Sequence, residues 1–195
     1  MKNSIKLLLM VAVIFQVVSL KAQNTTTNGI YLNENDYRSH HLSYEISAAD
    51  KLQLNDFLGG SNIKFTSKGQ QFKMAKNAVF GYRLNNQDYR FYNNNAYRVL
   101  DTAGFLLYSK TELSKQGKGY LPVVHYFFSV NQLQPVLALT LENLNQRFRN
   151  QTDFRYSLQS YFRKDDELSA FDPAENQYKI KYVFFQHTVL AAHKN

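Results

Sequence analysis

Three arginines, each directly after a tyrosine, form the set best suited to chemistry: Arg83, Arg90 and Arg98. Guanidinium groups grip carboxylates, phosphates and sulfates through paired hydrogen bonds that an ammonium cannot reproduce. If the three lie on one face of a sheet, they make a cationic patch for such an anion, with exposed tyrosines beside it. The competing use is structural, with Arg83 paired to Asp88 and the others solvated.

The five histidines are a weaker set. His40 and His41 are adjacent and point apart on most local geometries, His125 sits inside an apolar run, and His187 and His193 are spaced by six. No His-Glu-x-x-His pattern or equivalent pair at helical spacing occurs, so no metal is expected and His125 reads as a core residue. No Gly-x-Ser-x-Gly elbow is present. Glu45, Asp88, Asp101 and Glu112 offer no distinguishable carboxylate pair for glycoside hydrolysis. Asp165-Asp166-Glu167 lacks the spacing and glycine of a calcium loop, and Gly117-Lys118-Gly119 lacks the upstream glycine of a phosphate loop. Without cysteine, the chain has no disulfides, thiolate sites, cysteine nucleophile or lipid-attachment point. No catalytic residue and no cofactor is assigned.

The elements that must position these residues begin after a leader. Lys2 and Lys6 precede an apolar run from Leu7 to Phe15, prolonged by Val17, Val18 and Leu20, with a small residue at Ala22. This is the pattern of a secretory signal peptide over residues 1–22, too short to span a bilayer, with cleavage before Gln23. The expected mature chain therefore has no transmembrane segment and works in the periplasm, in the cell envelope or outside the cell. Removal of Lys2, Lys6 and Lys21 lowers the formal charge from +8 to about +5. At that location nucleic acid is not an expected partner; an anionic envelope polymer or another envelope protein is.

Residues 23–28 read as a mobile leader and residues 29–195 as a single domain. Asn33 is placed to cap a short helix with Asp36 three residues on. Strands are expected at Leu42–Ile46, Asn62–Thr66 and Gln71–Met74. The strongest pattern is central: Phe80, Tyr82 and Leu84, then Asn85-Asn86, then Tyr89 and Phe91. A two-residue Asn-Asn turn sets Tyr82 opposite Tyr89, Phe80 opposite Phe91 and Arg83 opposite Asp88, with four aromatics on one face. A second hairpin joins Tyr97–Leu100 to Phe105–Tyr108 through Asp101–Gly104. Residues 112–119 read as a polar mobile stretch, and Leu121–Phe128 as a central strand buried on both faces. Thr140 caps a helix carrying Leu141, Leu144 and Phe148; Phe154, Leu158 and Tyr161 or Phe162 mark another. Tyr178–Phe185 looks like a last strand, with a helix as the alternative. Strands first and helices late give an α+β fold: an antiparallel β-meander with C-terminal helices packed on one face.

Gly29-Ile30-Tyr31-Leu32, Asp36-Tyr37, Gly81-Tyr82-Arg83, Tyr89-Arg90-Phe91, Tyr97-Arg98-Val99-Leu100, Tyr126-Phe127-Phe128-Ser129 and Leu139-Thr140-x-x-Asn143-Leu144 resemble a family of small exported proteins of Bacteroidetes-type bacteria. The family's function is unknown, so the resemblance implies an origin and a compartment and brings no catalytic residue. Asp101-Thr102-Ala103 resembles the Asp-Ser/Thr-small pattern that such bacteria O-glycosylate, with Thr102 at a turn tip. The expected function is a non-enzymatic, envelope-associated or secreted binding or accessory module. The alternatives are an extracytoplasmic hydrolase of envelope or dietary polymers, built around His125 and a carboxylate, and a structural subunit of a surface complex.

Overall fold

Asn85 and Asn86 both take left-handed backbone conformations (φ 52° and 60°), as a tight turn between twisted strands requires. They join β6 (Gly81–Leu84) to β7 (Gln87–Tyr92), setting Tyr82 opposite Tyr89 and Arg83 opposite Asp88. A second Asn-Asn pair, Asn93 and Asn94 (φ 47° and 62°), makes the same kind of turn into β8 (Asn95–Asp101). The chain continues antiparallel through β9 (Leu106–Gln116), β10 (Gly119–Ser129) and the short β11 (Leu137–Ala138).

The computed structural model describes residues 27–55 and 60–192. Residues 1–22, read from the sequence as a signal peptide, residues 23–26, read as a leader, and His193 lie outside the described residues. Asn28, assigned to the leader, already belongs to β1 (Asn28–Tyr31). That strand pairs with β6 on one side and with β2 (Tyr44–Ile46) on the other, completing an eight-stranded sheet in the order β11-β10-β9-β8-β7-β6-β1-β2. Between β1 and β2 stands α1 (Glu34–Arg38), where the Asp36 N–H donates to the capping Asn33 Oδ1 (3.0 Å). A separate three-stranded sheet follows: β3 (Leu52–Gln53), β4 (Asn62–Ser67) and β5 (Gln70–Ala75).

The C-terminal third is helical. Thr140 Oγ1 accepts from the Asn143 N–H (3.1 Å) and starts α2 (Leu141–Arg147); α3 (Thr152–Tyr161) buries Phe154 and Leu158. A small ribbon, β12 (Phe171–Asp172) and β13 (Gln177–Tyr178), leads into α4 (Lys179–Ala192). The strand expected at Tyr178–Phe185 is thus a helix. Its buried residues Ile180, Val183 and Phe184 recur at three- and four-residue spacing, while Tyr182 and Phe185 face outward.

The fold is α+β, an antiparallel meander with its C-terminal helices on one face of the sheet. That front face is covered in two places. Ile30, Tyr82 and Phe91 pack against Ile63 and Phe65 of the small sheet. Farther along, Leu107 and Phe128 pack against Leu144, Phe148, Phe154, Leu158 and Phe184 of the helices. Edge-to-face rings such as Phe148–Phe154 (5.2 Å, 88°) add specific aromatic contacts to this burial. The back face is covered by Tyr37, Leu42 and Val136 over Tyr31, Tyr97 and Tyr108.

Two expectations about the middle of the chain change. Residues 112–119 are not a loop. Strands β9 and β10 pair residue for residue from Leu106–Ser129 out to Gln116–Gly119, forming a long two-stranded arm. In consequence β10 is not a doubly buried strand. Beyond the helices its residues stand in solvent, with Tyr120, Leu121 and Val124 exposed, and His125 is exposed too. Tyr126 C=O accepts from the Leu139 N–H (2.9 Å), so alternate residues of β10 aim their backbone groups at the open edge. Pro122 falls in that alternation, where its missing N–H interrupts the edge as a template for a foreign strand.

Candidate functional site

One row of side chains crosses the front of the sheet. The register pairs Tyr82 with Tyr89, Tyr89 with Arg98, Arg98 with Ser109, and Ser109 with Tyr126. Directly opposed residues project to the same side, so the five share one face across β6, β7, β8, β9 and β10. At the usual strand spacing the row is roughly 19 Å long. Tyr82 and Tyr89 stack in parallel (centroids 4.6 Å apart, 3° between planes).

The small sheet covers the front face at one end and the helices cover it at the other. From Tyr89 to Tyr126 the row lies in the gap, with Tyr82 at its covered end under the small sheet, and it floors a cleft of about 570 Å³ walled by Leu100, Val124 and Tyr178. This is the size range of small-ligand sites. Arg98 is held in place: its Nε donates to Gln87 Oε1 (2.9 Å), while Gln87 Nε2 donates to the Val99 carbonyl (2.6 Å). Among the described residues, both Arg98 Nη groups and the Ser109 hydroxyl are without a hydrogen-bond partner. The cleft is lined by Arg98 and Lys110 and by no carboxylate. Burial raises the Tyr178 phenol above its ordinary value, so it stays neutral.

The three arginines predicted to form one patch are not on one face. Arg83 projects to the back and makes a bidentate pair with Asp88 (Nε–Oδ1 2.7 Å, Nη2–Oδ2 2.8 Å). That pair raises the Arg83 pKa still further, through its hydrogen bonds to Asp88. Arg90 also points to the back, where it is buried. Only Arg98 reaches the front. The reason is the second Asn-Asn turn: it pairs Arg90 with Tyr97 and Tyr89 with Arg98, so the Tyr-Arg repeat changes face between β7 and β8. Phe80 also departs from its expected face. It precedes β6 and packs on Tyr37 at the back (5.0 Å), where Arg90 stands over its ring (5.6 Å).

His125 is not a core residue. It lines an open groove of about 440 Å³ with Glu112, Thr140, Asp165, Asp166 and Ser169. Yet these groups are engaged elsewhere. Glu112 pairs with Lys110 (2.6 Å), Thr140 caps α2, and Asp165 Oδ1 accepts from the Leu141 N–H (2.8 Å). His125 makes no hydrogen bond or ion pair among the described residues, so imidazole, acid and hydroxyl share a groove without forming a relay. No group of three or more His, Asp or Glu there is placed to hold a metal. Thr102 is exposed in the turn between β8 and β9.

Ser109, Tyr126 and Tyr178 escaped the sequence reading. The Asn93-Asn94 turn fixes the β7–β8 register and so the face of Arg98, while Ser109 and Tyr126 are placed by the later β8–β9 register, which is irregular between Val99 and Asp101, and the β9–β10 register. Tyr178 arrives from the far end of the chain. No protein-family model matches the sequence, and neither a curated protein nor a solved structure matches it.

Proposed function

We propose that the protein is a non-enzymatic binding module acting outside the cytoplasm, whose front cleft takes an acidic sugar unit of an envelope or extracellular polymer. One observation carries this reading: a guanidinium fixed by Gln87, with both Nη groups open, sits in a row of tyrosines. Tyrosine faces suit the apolar face of a sugar ring, and a free Arg fork suits its carboxylate. The absence of a carboxylate from the cleft lining favours binding over glycoside hydrolysis, which uses two. The export half of the reading rests on the sequence pattern of residues 1–22.

The test is calorimetric titration of the mature protein with a uronic-acid oligosaccharide and its neutral counterpart. The acidic ligand is expected to bind and the neutral one to bind far more weakly. Arg98→Ala is expected to weaken the acidic ligand about tenfold or more. Equal binding of both ligands, binding of neither, or an unaffected Arg98→Ala variant overturns the reading of the cleft. For export, the protein isolated from cell fractions is expected outside the cytoplasm with Gln23 as its first residue. An uncut chain in the cytosol refutes that part.

A further inference from the structure

The outer face of the small sheet carries an unusual pairing. Lys64 on β4 and Lys73 on β5 are directly opposite one another, so both ammonium stems rise from the same face. Opposed Cβ atoms in an antiparallel pair stand about 5 Å apart, and like charges there are destabilising. The ordinary remedy is an acidic neighbour. None is supplied: among the described residues no carboxylate lies within ion-pair distance of Lys51, Lys64, Lys68 or Lys73. The nearby Asp50 accepts instead from the Ser47 hydroxyl (2.8 Å).

Lys51, Lys64 and Lys73 line a shallow groove of about 550 Å³ together with Asp50, Gln53, Thr66 and Gln71, so three ammonium groups face one carboxylate. Gln53 is directly opposite Lys64, and Gln71 is opposite Thr66, so amides and a hydroxyl flank the Lys64–Lys73 pair. Neither glutamine side chain makes a hydrogen bond within the described residues. Inward-facing Ile63, Phe65, Phe72 and Met74 fix the platform from beneath, packing it onto the main sheet.

We infer that this lysine face is a docking surface for an acidic polysaccharide, whose carboxylate or sulfate groups supply the anions that the Lys64–Lys73 pair lacks. The groove is open, as a chain passing through it requires, and its amides offer hydrogen bonds to sugar hydroxyls. Among the described residues, no large apolar side chain is exposed on this face. That favours a hydrated polyanion over a membrane surface, to which a docking face ordinarily adds inserted apolar groups. The inference is independent of the cleft: Arg98 is on the front of the main sheet, whereas these lysines point away from it.

The experiment measures binding of the mature protein to a sulfated polysaccharide, heparin, at low and high salt, beside vesicles of anionic phospholipid. Heparin is expected to bind at low salt and to be released as salt screens the contact. K64Q/K73Q is expected to weaken heparin binding about tenfold while melting no lower than the parent, because a repulsion has been removed. The charge-matched control K115Q/K118Q, on the exposed β9–β10 arm, is expected to bind as the parent does. Equal losses in the two lysine double variants, no loss in K64Q/K73Q, or a clear preference for vesicles overturns the inference.

Discussion

Replacing Arg90 with alanine is expected to cost about 3–5 kcal/mol of stability and to lower the melting temperature by roughly 10 °C. The side chain is 5% exposed and, among the described residues, has no carboxylate within ion-pair distance. Its charge is held by oxygens and rings instead. Nη1 donates to the Tyr108 and Ser129 hydroxyls (both 3.1 Å) and Nη2 to the Gln134 carbonyl (3.0 Å). The rings of Phe80, Tyr92 and Tyr108 surround it at 5.6, 5.7 and 6.0 Å. Ring faces are the electron-bearing side of an aromatic group, so they attract a desolvated cation.

Truncation removes both contributions at once: it opens a cavity among three rings and takes the charged donor from two hydroxyls and the half-buried Gln134 carbonyl. The Tyr108–Ser129 contact (2.9 Å) survives, which limits the loss. Arg90→Met, filling most of the space without the donors, is expected to lose about half as much. Urea denaturation of the two variants measures both terms. An Arg90→Ala variant within about 1 kcal/mol of the parent means that the cage is not a stabilising feature.

The same residue shows how far the sequence could be read. Arg90 looked like one member of a surface patch because the Tyr-Arg repeat has the period of a strand. Local signals were sufficient wherever the determining contact was local. Asn85-Asn86 set a register and paired Arg83 with Asp88; Asn33 and Thr140 started helices; Leu144, Phe154 and Leu158 fell on buried faces. The readings failed where a distant partner decides. Whether residues 106–129 are a buried strand and a loop or a projecting arm depends on where the helices stop covering the sheet. Whether Tyr178–Phe185 is strand or helix depends on which side chains meet the sheet. The cleft was legible only in part: Arg98 was named, but its face follows from a second turn and its walls come from both ends of the chain. The pairing of β1 with β6 had no local signal at all.

Raising the pH from about 8 toward 10 is expected to stabilise the protein, and raising it further to unfold it. The first effect belongs to Lys181. Its side chain is 1% exposed on α4; Nζ donates to the Ala103 carbonyl (2.8 Å) and to the Phe105 carbonyl, and stands 3.4 Å from Asp101. Gly104, in the left-handed region (φ 72°), lets this turn tuck under the helix, where any Cβ meets Phe184 at 2.5 Å. Burial lowers the Lys181 pKa from 10.5 to about 8, with Asp101 opposing the shift. A group with a depressed folded-state pKa binds fewer protons folded than unfolded between those two values, so stability rises with pH across them. The gain is about 3 kcal/mol at most, and it is lost again as pH falls through 8.

The tyrosines act with the opposite sign. Burial, as the main cause, raises Tyr31, Tyr37, Tyr97, Tyr108 and Tyr178 above the ordinary value of 10. Their contribution is intact below pH 10 and disappears above it, once the unfolded chain ionises and the folded one does not. The stability maximum is therefore expected between these windows, with phenolate absorbance appearing in two phases: exposed tyrosines first, buried ones only with unfolding. Lys181→Met separates the two effects. It removes the donor to Phe105, so its stability at neutral pH combines a relieved charge with an orphaned carbonyl, and the level alone decides nothing. The slope does: denaturation midpoints of Lys181→Met are expected to be flat between pH 8 and 10, where the parent's rise. A variant that keeps the parent's slope assigns that proton to another group.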